Sequence, residues 1–394
     1  MGVDRAVVSG PGVRIESVDV LRGVVMILMA LDHVRDYFGT ADNPTNVAQA
    51  SAALFFTRWI THFCAPTFFL LTGIGAYLAL RRRTKGELSW FLLTRGLWLI
   101  VLELTVLRSL GYQFNVDYRV TMLVILWGLG WSMIALALVH PPASAVTAFS
   151  IVVIAGHNLL DSVQAASFGA FAPLWTILHA QGIVVSDPVV FVAYPLVPWI
   201  GVTALGYAFG PVFSWLPDDR RRFLLYGGAA MTAAFVLVRL ANVYGDPVPW
   251  AEQASAWGTL RSFLNATKYP PSLLFLLMTL GPALLLLYAL DRGAPRALGP
   301  ALRFGKVPLF YFLLHLPLIH LLAVVFCAIR FNAVHWMFES PTLDRYPFTR
   351  PPGWGYSLPV VYAVWIGVVL ALYPLCRWFG DVKARRTDGW LSYL

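Results

Sequence analysis

Residues 17–36 read SVDVLRGVVMILMALDHVRD, an apolar run of helical length with charged residues near both ends and an arginine inside it. At 100° per residue, the eleven steps from Arg22 to His33 return a helix to within about 20° of its starting face and advance it about 16 Å. The same stripe includes Asp19, Met26, Met29 and Asp36. Because a lipid-facing arginine is costly, this stretch predicts a membrane helix that lines a polar path or site inside a helix bundle.

The composition places the whole chain in the same class. Of its 394 residues, 58% are hydrophobic and only 12% are charged, about half the charged fraction of soluble domains. Apolar stretches of helical length recur without a long polar region between them. We therefore predict an all-α, polytopic membrane helix bundle, a single domain over residues 1–394 with its helical core at about 17–380.

The pattern predicts about ten membrane spans. They lie near residues 17–38, 52–80, 88–108, 119–139, 143–160, 189–214, 222–242, 271–291, 305–330 and 357–379. Arginines and lysines cluster after the second, sixth, eighth and tenth spans, whereas the connectors 39–51, 161–188 and 243–270 contain only Arg261 and Lys268. By the positive-inside rule, both termini are predicted to be cytoplasmic.

The net charge and the cysteines indicate which binding partners to expect. The net charge is +9, but the positive residues are spread through the connectors, which is the pattern of membrane orientation and not of nucleic-acid binding. The three cysteines, Cys64, Cys327 and Cys376, are isolated in apolar segments and have no metal-ligand spacing. The lipid bilayer is therefore an expected partner, and neither a nucleic acid nor a metal is expected.

The histidines near the predicted outer surface are the candidates for catalysis. His33 lies beside Asp32 and three residues before Asp36, and a carboxylate can hold an imidazole in one tautomer and support its protonated form. A histidine at the membrane interface is the plainer interpretation. His62, one helical turn after Arg58, is a second candidate for acid–base work or acceptor binding.

Arg22 has two interpretations. It can form an ion pair with Asp19, three residues earlier, or its planar guanidinium can bind a phosphate that enters from the cytoplasm. Arg303, Lys306 and Arg95 are predicted to join it in a cofactor-binding group. His315, predicted near mid-membrane, is either a functional residue of this group or a structural histidine that bonds a backbone carbonyl.

Several short motifs give the chain a family resemblance. The run from Ser17 to Gly23, followed by Asp32-His33, resembles the first helix of the heparan-alpha-glucosaminide N-acetyltransferase catalytic-domain family. Further matching stretches are Ala65–Phe69, Pro198–Gly201, Lys268–Ser272, Pro308–Tyr311 and Trp390–Leu394.

The resemblance implies a membrane acyltransferase that takes an acetyl or other acyl group from cytoplasmic acyl-CoA and passes it to the amino or hydroxyl group of a sugar on the outer side. The Arg22-x10-His33 spacing is similar to the arginine–histidine signature of membrane O-acyltransferases, in which the arginine helps to hold the coenzyme and the histidine is catalytic. Arg58, Lys268 and Tyr269 are then expected to contact the sugar or glycan acceptor. The expected location is the bacterial plasma (inner) membrane, and homodimerisation stays open.

The resemblance has one departure, and other functions compete with it. The lysosomal enzyme of the family carries its active-site histidine after the first helix, where residues 39–51 of this chain contain none. His33 is therefore assigned the catalytic role, with His62 as the alternative. A proton-coupled transporter or flippase would use Asp19, Arg22, His33 and Glu103 as a relay, although we find no paired, interrupted half-repeats. A non-catalytic scaffold would leave the polar stripe unexplained.

Overall fold

The computed structural model describes residues 15–40, 43–138, 143–386 and 388–394. Helices make up 73% of the structure. The α-helices are α1 (Glu16–Phe38), α2 (Ala52–Thr61), α3 (Cys64–Leu80), α4 (Lys85–Leu102), α5 (Ile125–Leu138), α6 (Ala143–Gly156), α7 (Ala172–Leu178), α8 (Leu196–Phe209), α9 (Pro217–Ala241), α10 (Ala256–Leu264), α11 (Leu273–Arg292), α12 (Gly299–Lys306), α13 (Pro308–Phe331) and α14 (Leu358–Arg385). The helical fold class is confirmed.

Seven helical segments in the described part of the chain are long and apolar enough to cross a membrane. They are Ala52–Leu80, Lys85–Tyr112, Leu196–Ser214, Pro217–Ala241, Leu273–Arg292, Pro308–Phe331 and Leu358–Arg385. An eighth is possible if the pair Ser144–Leu160 and Ala165–Leu178, bent by 107°, counts as one broken span. The count of ten spans and the cytoplasmic termini stay predictions.

Helix α1 lies in the middle of the bundle, although its charges exclude it from the seven apolar candidates. It contacts α3, α11, α12, α13 and α14, and most of its side chains are buried, including those of Val20, Met26 and Val34. The side chains of Asp19, Arg22, Asp32 and Arg35 are at most 20% exposed. Both arginines of α1 therefore lie against protein, as the cost of a lipid-facing arginine requires.

Close backbone contacts hold the neighbours of α1 in place. A Cβ atom on Gly305 would lie 1.8 Å from the carbonyl oxygen of Asp19, and one on Gly23 would lie 1.7 Å from that of Ala301. Helices α1 and α12 thus approach each other as closely as only glycine permits. This contact fixes the carbonyl of Gly305 beside Arg22.

A small sheet interrupts the helical pattern. Strand β1 (Val120–Leu123) runs parallel to β3 (Val189–Val192), and β3 pairs antiparallel with β2 (Gly182–Ser186), in the order β1-β3-β2. The predicted fourth and sixth spans, 119–139 and 189–214, were therefore wrong at their starts. Short runs of β-branched apolar residues look alike in a strand and in a buried helix, so periodicity alone does not separate them.

Candidate active site

Two histidines from different helices contact each other inside the bundle. His33 on α1 places Nδ1 2.7 Å from Nε2 of His315 on α13. Their rings stack with centroids 4.9 Å apart. From the sequence, His315 was predicted among the cofactor-binding residues, whereas in the structure it contacts His33. We call these residues the His33–His315 pair.

The hydrogen bonds of the pair define its tautomers. Nδ1 of His315 lies 2.8 Å from the Phe312 carbonyl and 3.2 Å from the Tyr311 carbonyl. A carbonyl only accepts, so this Nδ1 carries the proton and Nε2 of a neutral His315 is an acceptor. Nδ1 of His33 must then donate to it, which leaves a lone pair on Nε2 of His33. This is the form that a general base requires.

The carboxylates near His33 pair with arginines instead. Asp32 accepts hydrogen bonds from Arg35 at 2.8 Å, from Thr61 at 2.9 Å and from Arg58. Asp36 accepts from Arg35 at 2.7 Å. These hydrogen bonds come from Arg35, Arg58 and Thr61 and not from His33; for Asp32 the reason is that consecutive helical side chains point about 100° apart. An orienting role of the two carboxylates stays a prediction. His315 occupies the position beside the imidazole.

One cavity opens beside the first half of α1. We call it the Arg22 cavity; its volume is about 330 Å³. Four cationic side chains line it: Arg22, Arg95, Lys306 and Lys383. Most of its remaining wall is apolar and includes Met26, Phe68, Leu99, Met133 and Phe312. A cationic group with an apolar extension is suited to a ligand that has phosphates at one end and a neutral chain at the other.

Arg22 itself fits both interpretations of the sequence. Its Nη1 donates to Asp19 at 2.9 Å and to the Gly305 carbonyl at 3.2 Å, while the side chain lines the cavity. Arg303, predicted to join it, does not line the cavity; its Nη1 lies 3.5 Å from Asp381, and its side chain is 41% exposed. Arg95 and Lys306, which were also predicted to join it, line the cavity, and so does Lys383, which was not predicted.

Phe312 connects the Arg22 cavity to the His33–His315 pair. Its ring lines the cavity, and its centroid lies 6.4 Å from that of His33 and 5.2 Å from that of His315. The cavity therefore ends within one side chain of the two imidazoles.

A second cavity, of about 460 Å³, lies beyond the histidines along α1. We call it the Tyr269 cavity. Its lining includes Arg35, Arg58, His62, Lys268, Tyr269 and Gln181. All three residues that the sequence analysis assigned to the acceptor, together with His62, thus meet in one cavity. Arg35, which the sequence analysis left without a role, joins them through its ion pair with Asp32.

The polar groups of the Tyr269 cavity have distinct environments. His62 is 3% exposed, its ring rests on that of Phe275 at 5.4 Å, and its Nδ1 has no hydrogen-bond partner in the described part of the chain. Burial by itself would raise the pKa of Tyr269, but the positive charges of Lys268 and Arg58 lower it below the ordinary value. The cavity therefore offers both acidic donors and an unpaired imidazole nitrogen.

The contact between the histidines could not be predicted from the sequence, because His33 and His315 are 282 positions apart. No local spacing links them, and either histidine alone is compatible with a structural role. The signal that each carries is an ionisable group inside an apolar stretch.

Residues 14–242 match the profile of the family described as heparan-alpha-glucosaminide N-acetyltransferase, catalytic. The chain belongs to this family. A search among curated proteins finds no match. Membership in the heparan-alpha-glucosaminide N-acetyltransferase family gives the chain a transmembrane acetyltransferase-type function. The matched region holds Arg22, His33 and His62, while Tyr269 and His315 lie after it.

Proposed function

We propose that this protein transfers an acetyl or other acyl group from acyl-CoA on the cytoplasmic side of a membrane to the amino or hydroxyl group of a sugar on the outer side. The observation that carries the proposal is the order of residues along α1. Arg22 lines one cavity, His33 follows, and Arg35 lines the other. A cofactor and an acceptor bound in the two cavities would approach the same histidine from opposite ends.

The Arg22 cavity is the proposed acyl-CoA site. The CoA phosphates would contact Arg22, Arg95, Lys306 and Lys383, since charge-assisted contacts to phosphate are the strong ones. The pantetheine arm would follow the apolar wall towards Phe312. The thioester would then reach the His33–His315 pair.

His33 is the proposed base. Its Nε2 would take the proton from the acceptor hydroxyl or amine as that group attacks the thioester carbonyl. A new C–O or C–N bond forms, the C–S bond breaks, and CoA leaves as a thiol after it receives the proton. His315 would support the protonated His33, because its Nε2 accepts from Nδ1 of His33 while its own Nδ1–H donates to backbone carbonyls. Acyl transfer through an acyl-histidine would use the same Nε2.

The Tyr269 cavity is the proposed acceptor site. A sugar presents hydroxyl groups at every edge, and Arg35, Lys268 and Tyr269 supply donors around the cavity. His62 lines this cavity and would be the second base if His33 acts as an acyl carrier. The position of the cavity beside the lysine- and arginine-poor connectors supports an outer location.

The relay required by a transporter has less support. Glu103 accepts a hydrogen bond from the backbone N–H of Leu126 at 2.8 Å, and Asp19 pairs with Arg22. Both carboxylates of the supposed relay are therefore engaged in structural contacts, Glu103 with the start of α5 and Asp19 with Arg22 on its own helix.

Calorimetric titration of the purified, detergent-solubilised protein with acetyl-CoA, and separately with CoA, tests the proposal. Saturable binding at micromolar concentrations is expected, followed by release of CoA when a panel of amino- and hydroxyl-sugars is added. Absence of binding in a monodisperse preparation would overturn the acyltransferase and favour transport.

A further inference from the structure

A second cluster of ionisable residues lies away from both cavities, at the bend between Ser144–Leu160 and Ala165–Leu178. His157, Asp161 and His179 each offer one potential ligand atom, and these atoms lie within 4.8 Å of one another. His157 opens a 3₁₀ turn, Asp161 lies at the bend and His179 ends α7. The three side chains thus come together from consecutive segments of the backbone.

Both imidazoles of the cluster are buried without a hydrogen-bond partner among the residues that the structure describes. His157 is 3% exposed and His179 is 4% exposed, yet none of their four ring nitrogens has a hydrogen-bond partner in the described ranges. The Pro271 carbonyl faces His157 outside hydrogen-bonding geometry. Buried polar groups are nearly always satisfied, so these nitrogens point to a ligand.

We propose that His157, Asp161 and His179 bind a divalent first-row transition metal ion of the Zn²⁺ type. Two neutral imidazoles and one carboxylate are a donor set that such ions prefer, and three protein ligands leave a position for water. His179 Nε2 already lies 3.8 Å from Asp161 Oδ1. Ligand atoms of a tetrahedral zinc site with bonds of about 2.0–2.2 Å lie about 3.3–3.6 Å apart, so the side chains must approach one another by up to about 1.5 Å.

The residues around the cluster resemble the supporting shell of a metal site. Asn158 donates to Asp161 Oδ2 at 2.8 Å, and its own Oδ1 accepts from the backbone N–H of Leu273 at 2.8 Å. The ring of Trp175 packs on His179 at 4.8 Å. Partners that orient ligating carboxylates and imidazoles in this way are typical of metal centres.

The proposed metal would stabilise one wall of the Tyr269 cavity. Gln181, two residues after His179, lines that cavity, and Leu273, tied to Asn158, begins the helix that follows Tyr269. The ion would therefore fix the bent helical pair against α11. This structural role is independent of the acyl-transfer reaction.

Metal analysis of the full-length protein, purified without a histidine tag, tests the proposal. After dialysis against Zn²⁺ and removal of free metal, the wild type is expected to retain about one ion per chain, and His179→Gln and Asp161→Asn less than about 0.1. The control His335→Gln, at an exposed histidine that pairs with Glu339, should retain the full amount. Folding of each variant is checked by size-exclusion chromatography and melting temperature.

A second measurement uses Co²⁺ in place of Zn²⁺. The wild type should develop visible absorption bands that the ligand variants lack, and chelation of the bound metal should lower the melting temperature of the wild type alone. A folded wild type that retains less than about 0.1 ion per chain, or equal retention by the wild type and both ligand variants, would overturn the proposal.

Discussion

Arg22 is the residue on which the proposed acyl-CoA site depends most. A charge-assisted contact is worth about 1.5–3 kcal/mol, so Arg22→Ala should weaken acetyl-CoA binding roughly tenfold to a hundredfold in a calorimetric titration. Arg303→Ala is the matched control, because Arg303 pairs with Asp381 away from the cavity; exposed pairs contribute about 0–1 kcal/mol. Equal affinities of folded Arg22→Ala and wild type would remove Arg22 from the site.

Tyr269 should give the acceptor step a dependence on pH. Its pKa lies below the ordinary value because Lys268 and Arg58 outweigh burial, so the phenol loses its donating proton at a pH below about 10. Acceptor binding through this hydroxyl should therefore fall as the pH rises through that lowered pKa. In Tyr269→Phe, the KM for the acceptor should be raised at neutral pH and this alkaline decline should be absent. An unchanged alkaline limb in Tyr269→Phe would assign the decline to another group.

The residues of the candidate site were predictable from sequence more readily than their partners. Arg22 and His33 stand out because an ionisable group inside a membrane helix costs free energy, and a helix that only anchors the chain needs no such group. Their actual neighbours, Gly305 and His315, lie almost 300 positions away and depend on how α12 and α13 pack on α1. Arg303 shows that charge alone does not identify a binding residue, because a cationic residue near a cavity can instead form an ion pair at the surface.

At the scale of elements, the contact between α1 and α12 sets the position of Arg22. A methyl group on Gly305 would lie 1.8 Å from the Asp19 carbonyl oxygen, so Gly305→Ala must push the two helices apart. Overpacking of this kind costs about 1–3 kcal/mol, and the melting temperature in detergent should fall. Gly299→Ala, in the same short helix, meets no atom within 4 Å and should leave the melting temperature unchanged. The same melting temperature for both variants would contradict the close contact.

Local sequence patterns located most of the helices. They did not distinguish a strand from the start of a helix inside an apolar run. The Pro195–Trp199 stretch lies inside the predicted sixth span but marks the start of a helix, since Pro195 caps α8 after β3 has ended. Gly73 permits close packing of two helices, because a Cβ atom there would lie 1.9 Å from the Thr203 carbonyl oxygen. Proline and glycine act locally, by restricting the backbone or by allowing close packing, so their effects can be predicted from the sequence. The pairing of β1 with β3 cannot, because it joins residues about seventy positions apart.

At the scale of the whole molecule, the predicted orientation determines which connectors are accessible from each side of the membrane. Cysteines introduced at Asn43, before Ala52–Leu80, and at Arg82, after it, should react with membrane-impermeant reagents from opposite sides of the membrane. The native cysteines, Cys64, Cys327 and Cys376, are all buried and should add little background. Labelling of both positions from one side would contradict the span and the orientation built on it.

The central claim is that one membrane protein passes an acyl group through His33 from a cofactor cavity to an acceptor cavity. The measurement that tests it most directly compares wild type, His33→Ala and the control His335→Ala for acetyl-CoA binding and for transfer of labelled acetyl to a panel of amino- and hydroxyl-sugars. Loss of a general base costs about 10²- to 10⁴-fold in rate. Cofactor contacts about 16 Å away along α1 should survive. We therefore expect His33→Ala to bind acetyl-CoA nearly as the wild type does and to transfer almost nothing. Transfer by His33→Ala at more than about a tenth of the wild-type rate would contradict the account and move the catalytic centre to another residue, with His62 the first to examine.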